Sequence, residues 1–478
     1  MSSQEERLES PEERLGKNIG LREKVLLLWG PGVVALGAAV AGGEFILAPE
    51  LALSVGLGLL WITLLSVLLQ SVYLYSWVRL VTAYGETPIA LMFRVNVIIG
   101  ILGTSLLLFN YIWASWIYGS ASSLSSLVLG KGFPELHSPL TTTLATIVLL
   151  VLTLAILSVG HRIGRTLEVL SWVSSSLLVL SFLLLALLLV PLGVWGELAK
   201  GVLSFGYLPE GAELPTLWAF WNYAGYASGL GYVLASYFKD KGYGMGARTG
   251  YIPALLGSEG SHVPPTGRLF SPTPENLSAY RRWLSLAKEE VFLIFFLGAL
   301  LSMWLPIAIA YAAATGGLGA AVRLGSPAWL GLVLQNAGWG YAGFMLGAFL
   351  GFLLFFKSQV IVMDLIARTL ADAVWRTERL RRLAGGDLSL VYYSLLGGYL
   401  LWASLSILFE VPLLLLYAAA SAPEAAALIG VPTLLYLNYR VVPKELRLHP
   451  ALVALNVIFM ILCLGFLLVR ITWILGLL

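Results

Sequence analysis

Apolar residues run through this chain in blocks of about 20 or more, with charges gathered in the gaps between them, and that pattern predicts membrane-spanning helices. In the first half the blocks fall at roughly 25–55, 58–83, 96–129, 140–160 and 168–194. The second half adds 214–238, 288–314, 338–369, 389–411, 415–438 and 450–474, which makes about eleven spans and an all-α integral membrane protein. Pro412, Pro423 and Pro432 interrupt the stretch that holds the ninth and tenth, so that boundary is the softest. The division expected is a tail at 1–24, a first repeat at 25–194, a second at 214–438 with an internal loop at 239–288, and a final segment at 439–478. The tail is charged and lacks the apolar core of a cleaved signal peptide, so the first span is expected to be retained.

Composition agrees with this class: 59% of the 478 residues are hydrophobic and only 12% are charged. A net charge of +3 with dispersed basic residues gives no basis for nucleic-acid binding. The one cysteine, Cys463, excludes an internal disulfide and a cysteine metal cluster. Placing the amino terminus in the cytoplasm of a cell (plasma or inner) membrane puts most basic loop residues inside and leaves only Lys131, Lys200, Arg323 and Arg470 outside.

Two spans are interrupted. Ala41-Gly42-Gly43-Glu44 places a glycine pair and a carboxylate in the middle of the first, where opened backbone and an ionisable group together mark an ion or solute site. The competing reading is a glutamate at the interface after a short span, and Glu50 fits that description. The sixth span carries Gly225, Gly229 and Gly231 among hydroxyls, with Gly225-Tyr226-Ala227-Ser228 at its centre. Glycines that only permit close helix packing are the alternative there. Five spans separate the two breaks, an odd number that inverts the second half relative to the first, so both can meet near the bilayer midplane as in a carrier.

Gly30-Pro31, the gapless run from there to Leu59-Leu60-Trp61, Leu68-Leu69-Gln70-Ser71, and Gln359-Val360-Ile361-Val362-Met363-Asp364 together resemble the Nramp (natural-resistance-associated macrophage protein) divalent-metal transporter family. The resemblance implies a LeuT-type fold, with five-plus-five inverted repeats and broken first and sixth helices, in the wider APC superfamily. It also implies a site at the breaks. The family's Asp-Pro-Gly-Asn falls on Ala41-Gly42-Gly43-Glu44, so the aspartate is missing and Glu44, one helical turn on, is the replacement charge. The family's Met-Pro-His has no counterpart either, which points to a hard cation such as manganese or magnesium.

The expectation is therefore a secondary transporter, not an enzyme, that carries a divalent cation by proton or potential coupling and has no resident cofactor and no obligate protein partner. An organic solute carrier of the same architecture, for an amino acid or amine, is the alternative. Ala41, Gly42, Gly43, Glu44, Gly225, Tyr226, Ala227 and Ser228 are the expected binding residues, with Glu44 the metal ligand. Glu44, Lys357, Gln359 and Asp364 are the coupling or gating candidates. In related superfamily members a sodium ion sits between the first and eighth spans, so a lysine at 357 could take its place; snorkelling along Phe355 and Phe356 is the other reading. Asp364 could pair with Arg368 at helical spacing. His137, His161, His262 and His449 fall in loops or at span ends, so no histidine relay is expected. Gly242-Tyr243-Gly244-Met245-Gly246 reads as a flexible linker; Asn110, Trp113 and Trp116 lie on nearby faces of the third span, where lining the pathway is one reading and packing or interface anchoring, the commoner role of tryptophan, is the other.

Overall fold

The computed structural model describes residues 7–16, 18–113, 115–131, 139–209, 214–255, 264, 266–406 and 419–477. Apart from one isolated bridge between Arg162 and Pro253, every regular element among them is helical. Among the described residues, eight helices are long and apolar enough to cross a membrane, and Pro31–Ala39 and Gly43–Val55, which meet at 53°, make a ninth when taken as one broken span. The sixth is in three pieces, Leu214–Asn222, Ser228–Leu234 and Ala235–Lys241. Ala422–Tyr436 continues through a wide turn, Leu437–Val441, to form the tenth, whose expected start near 415 lies outside the described residues. The expected sixth and tenth spans are thus built of shorter pieces, and the chain is a multi-pass membrane protein.

Burial separates inner from outer spans. The second, Leu60–Tyr84, has 78% of its most apolar stretch covered by protein, against 17% for the last, Pro450–Ile474. That difference explains their sequences: the central helix carries Ser66, Gln70, Ser71 and Ser76, all buried, whereas the peripheral one presents Ile458, Ile461, Leu464 and Leu468 outward, where lipid is their solvent.

The loop 239–288 departs from a linker. Gly244–Arg248 forms a tight turn with Gly244, Met245 and Gly246 buried. Pro274–Glu289 is a helix, started by the Thr273 hydroxyl that accepts from the Asn276 amide at 3.3 Å. It buries Ala279, Tyr280, Trp283, Leu284 and Ala287, a stripe at three- and four-residue spacing. The surrounding prolines and glycines hide that stripe in the sequence. The tail packs on this helix too: the Leu8 amide donates to Asn276 Oδ1 at 2.8 Å, and Trp283 Nε1 donates to the Glu9 carbonyl at 2.8 Å. These segments define one side of the molecule, the tail face.

Candidate functional site

The first break begins where Val40 leaves helical geometry at φ −87° and ψ 102°, ending the inner half-helix Pro31–Ala39. Its last carbonyls then have no partner further along the helix. Lys357 supplies one: its Nζ donates to the Gly37 carbonyl at 2.8 Å and the Val40 carbonyl at 2.9 Å. Ser358 Oγ lies 2.7 Å from the Val40 carbonyl and 3.1 Å from that of Gly37. Lys357 is fully buried, so it does not snorkel. On the other side of the break, Glu44 Oε2 accepts from the Ala41 amide at 2.9 Å, and the residue is 3% exposed. A cation therefore meets the carbonyl end of one half-helix and an anion meets the amide end of the next, each the sign that its helix dipole favours.

Both glycines of the pair stand in close approach to aromatic rings. A Cβ on Gly43 would stand 2.9 Å from the Tyr223 ring, and one on Gly42 would stand 3.0 Å from the Phe355 ring.

The sixth break is held differently. Gly225, Ala227 and Ser228 have φ of 75°, 39° and 42°, the last two in a region that non-glycine residues rarely enter. Gln70 of the second span grips this turn with both ends of its amide, Nε2 donating to the Ala224 carbonyl at 2.6 Å and Oε1 accepting from the Tyr226 amide at 2.9 Å. Ser66 Oγ donates to the Trp221 carbonyl at 2.7 Å. The two breaks thus face each other across Tyr223, each with freed backbone groups bonded by neighbouring spans.

Between them lies a cavity of about 550 Å³. Ala41, Gly42, Gly43, Glu44, Gly225, Tyr226 and Ala227 line it. Ser228 does not; its Oγ is 3.4 Å from Cys463 Sγ on the last span. The cavity extends to Gly325 and Pro327, in the turn between the seventh and eighth spans, and to Ala419 and Pro423 at the start of the tenth, away from the tail face. Asn110, Trp113 and Trp116 also line it, the pathway reading of the two that the sequence leaves open. Asn222 is a further wall residue, with Oδ1 buried and without a hydrogen-bond partner. Among the described residues, no group of three or more His, Cys, Asp or Glu stands together.

Gln359 and Asp364 lie outside this cavity. Gln359 turns to the fourth span, where Nε2 donates to Thr153 Oγ1 at 2.9 Å. Asp364 sits nearer the tail face and pairs with Arg368, at 3.0 Å from Nε, while accepting from Tyr237 at 2.9 Å and Tyr392 at 2.8 Å. Arg368 also bonds Asp240, so the sixth, eighth and ninth spans are tied together below the breaks. A second tie joins the first and seventh: the Gly30 and Gly32 amides donate to Glu290 Oε2 at 2.9 and 2.6 Å, and Tyr243 bonds its other oxygen. Glu290 carries no signal in the sequence beyond a carboxylate at a span end. His161 is exposed and His449 caps the last span by accepting from the Ala451 amide; His137 and His262 lie outside the described residues.

No family model matches the chain, and no curated protein matches it by sequence. Solved structures do. The manganese transporter of Eremococcus coleocola, in complex with an aromatic bis-isothiourea substituted compound, superposes with a TM-score of 0.63 at 14% identity, covering 96% of this chain and 88% of that one. Two single-residue mutants of that transporter, one with a histidine replaced by alanine and one with a glutamate replaced by glutamine, each superpose with a TM-score of 0.64 at 12% identity and the same coverage. The likeness is one of fold: the LeuT-type arrangement, with first and sixth helices broken, spans nearly the whole chain.

Proposed function

We propose that this protein is a secondary carrier of a divalent cation, which binds beside Glu44 at the meeting point of the two broken helices. The observation that carries this reading is the buried Glu44 carboxylate in the wall of a cavity bounded by both breaks. Glu44 Oε1, Asn222 Oδ1 and the tyrosine hydroxyls offer hard oxygen donors, and the cavity has room for an ion that keeps part of its water shell, as magnesium and manganese do. The shared fold with a manganese transporter supports the same cargo class. In this reading the tail face is cytoplasmic, the cavity loads from the opposite side, and rocking of the first, second, sixth and seventh spans exposes it inward. Proton or potential coupling supplies the driving force; no resident cofactor, catalysis or obligate protein partner enters.

A second reading, an organic cation such as an amine, is favoured by the cavity walls. Tyr111, Trp113, Trp116, Tyr223 and Phe355 line the cavity, and aromatic rings attract a desolvated cation that lies over their faces; among the described wall residues Glu44 is the single carboxylate. One experiment separates the two. Protein reconstituted in liposomes is assayed for manganese, magnesium and calcium uptake with and without a pH gradient, beside Glu44→Gln. Metal uptake that falls at least tenfold in Glu44→Gln is expected. Metal flux unchanged by the substitution removes Glu44 from the site, and folded wild type that moves amines but no metal establishes the second reading.

A further inference from the structure

A second cavity, about 860 Å³, opens at the tail face between the start of the first span and the turn joining the fourth and fifth. Its upper wall is basic: Arg14, Arg162, Arg165 and Lys241. The acids that share it are already engaged. Glu168 binds Lys241 at 2.6 Å and Arg165 at 3.0 Å, and Asp240 binds Arg368 and, at 3.3 Å, Lys239. Two guanidiniums are left over. Arg14 donates to the backbone carbonyls of Gly242 and Lys241 and lies over the Trp283 ring at 5.8 Å, and Arg162 lies over the Tyr251 ring at 4.1 Å. Among the described residues neither has a carboxylate within ion-pair distance, and Glu9 is the one acid whose charge reaches Arg14 from further off. Burial first, then the neighbouring Arg162 cation, hold the Arg14 guanidinium below its ordinary value. The lower wall is apolar and open, with Leu26, Leu27 and Val169 exposed.

Cations at the level of the loops above exposed aliphatic side chains on the span ends match one kind of molecule, which has an anionic head and a hydrocarbon tail. We propose that this groove is a binding site for an anionic phospholipid, its phosphate between Arg14 and Arg162 and an acyl chain along Leu26, Leu27 and Val169. In the other basic cluster at this face, residues 376–382, Arg376 pairs with Glu86 at 3.1 Å, Arg382 pairs with Glu378, Arg381 donates to the Trp375 carbonyl at 3.5 Å, and none of its arginines lines either cavity. A lipid here would bridge the tail to the fourth–fifth turn, across the flank of the inner half-helix Pro31–Ala39. The site stands whether or not the chain is a carrier.

The test uses the full chain in nanodiscs of phosphatidylcholine with and without phosphatidylglycerol. Retained lipid is measured by native mass spectrometry and the unfolding midpoint by a thermal assay. Wild type is expected to retain phosphatidylglycerol selectively and to unfold at a higher temperature in its presence. Arg162→Gln, an exposed position, should weaken retention about fivefold, and Arg14→Gln/Arg162→Gln about twentyfold or more. Arg379→Gln, on the same face outside the groove, should leave both readouts unchanged. Inorganic phosphate and soluble glycerol phosphate form the control arm. Stabilisation by these ions equal to that by lipid overturns the proposal in favour of a free-anion site. Retention that is equal in wild type and the double variant overturns it outright.

Discussion

The two helix breaks solve one problem with different chemistry. At the first, charges complete the interrupted backbone: Lys357 on the Gly37 and Val40 carbonyls and Glu44 on the Ala41 amide. At the sixth, the neutral Gln70 amide does both jobs at once. A neutral clamp is indifferent to a passing ion. Charged caps are not, because a cation that enters beside Glu44 competes with the field of Lys357, so occupancy and the geometry of the first break are linked through Coulomb's law at low dielectric. The sixth break therefore reads as the electrically neutral side of the site and the first as the side whose geometry responds to charge.

Lys357→Met strikes the charged break hardest. It leaves Glu44 buried without its compensating cation and is expected to cost about 3–5 kcal/mol, read as a fall in the unfolding midpoint. Adding Glu44→Gln should restore part of that loss; strictly additive effects would show that the two charges do not communicate. Gln70→Leu unties the neutral break and orphans a buried carbonyl and amide, for about 2–4 kcal/mol. Combined with Lys357→Met, it should be additive to within about 0.5 kcal/mol if the breaks are independent, and coupling beyond that would erase the contrast between them. Gly43→Ala drives a methyl into Tyr223, where the breaks touch, and should cost about 1–3 kcal/mol together with a measurable loss of uptake. Ser66→Ala removes one hydrogen bond from the sixth break, and a change of about 1 kcal/mol is expected.

What can be read from the sequence is local. The glycine pair and carboxylate at 42–44, the glycines at 225 and 229, and the lengths of the apolar blocks need no partner to be noticed, and the fold expected from them is the one observed. A partner one turn along a helix is readable, as Arg368 is for Asp364, but distant partners are not. Lys357 stands in an apolar stretch of sequence; the resemblance brings it near the first span, and only folding selects the carbonyl it bonds, 320 positions away. Glu290 reaches Gly30 across 260 positions and gives no hint of doing so. Trp113 and Trp116 show the converse limit: tryptophan serves packing, interface and pocket alike, so residue type cannot say which wall it faces. The helix at 274–289 is hidden because proline and glycine punctuation outweighs a short amphipathic stripe.

Cys463 has a use that its burial conceals. The chain has one thiol, and that sulfur rests against Ser228, the first residue beyond the turn of the sixth span. A maleimide can reach it only when that corner of the protein loosens, so the labelling rate of the unaltered polypeptide times the opening of the sixth helix. No cysteine-free background has to be engineered first; the native molecule is already a single-site reporter.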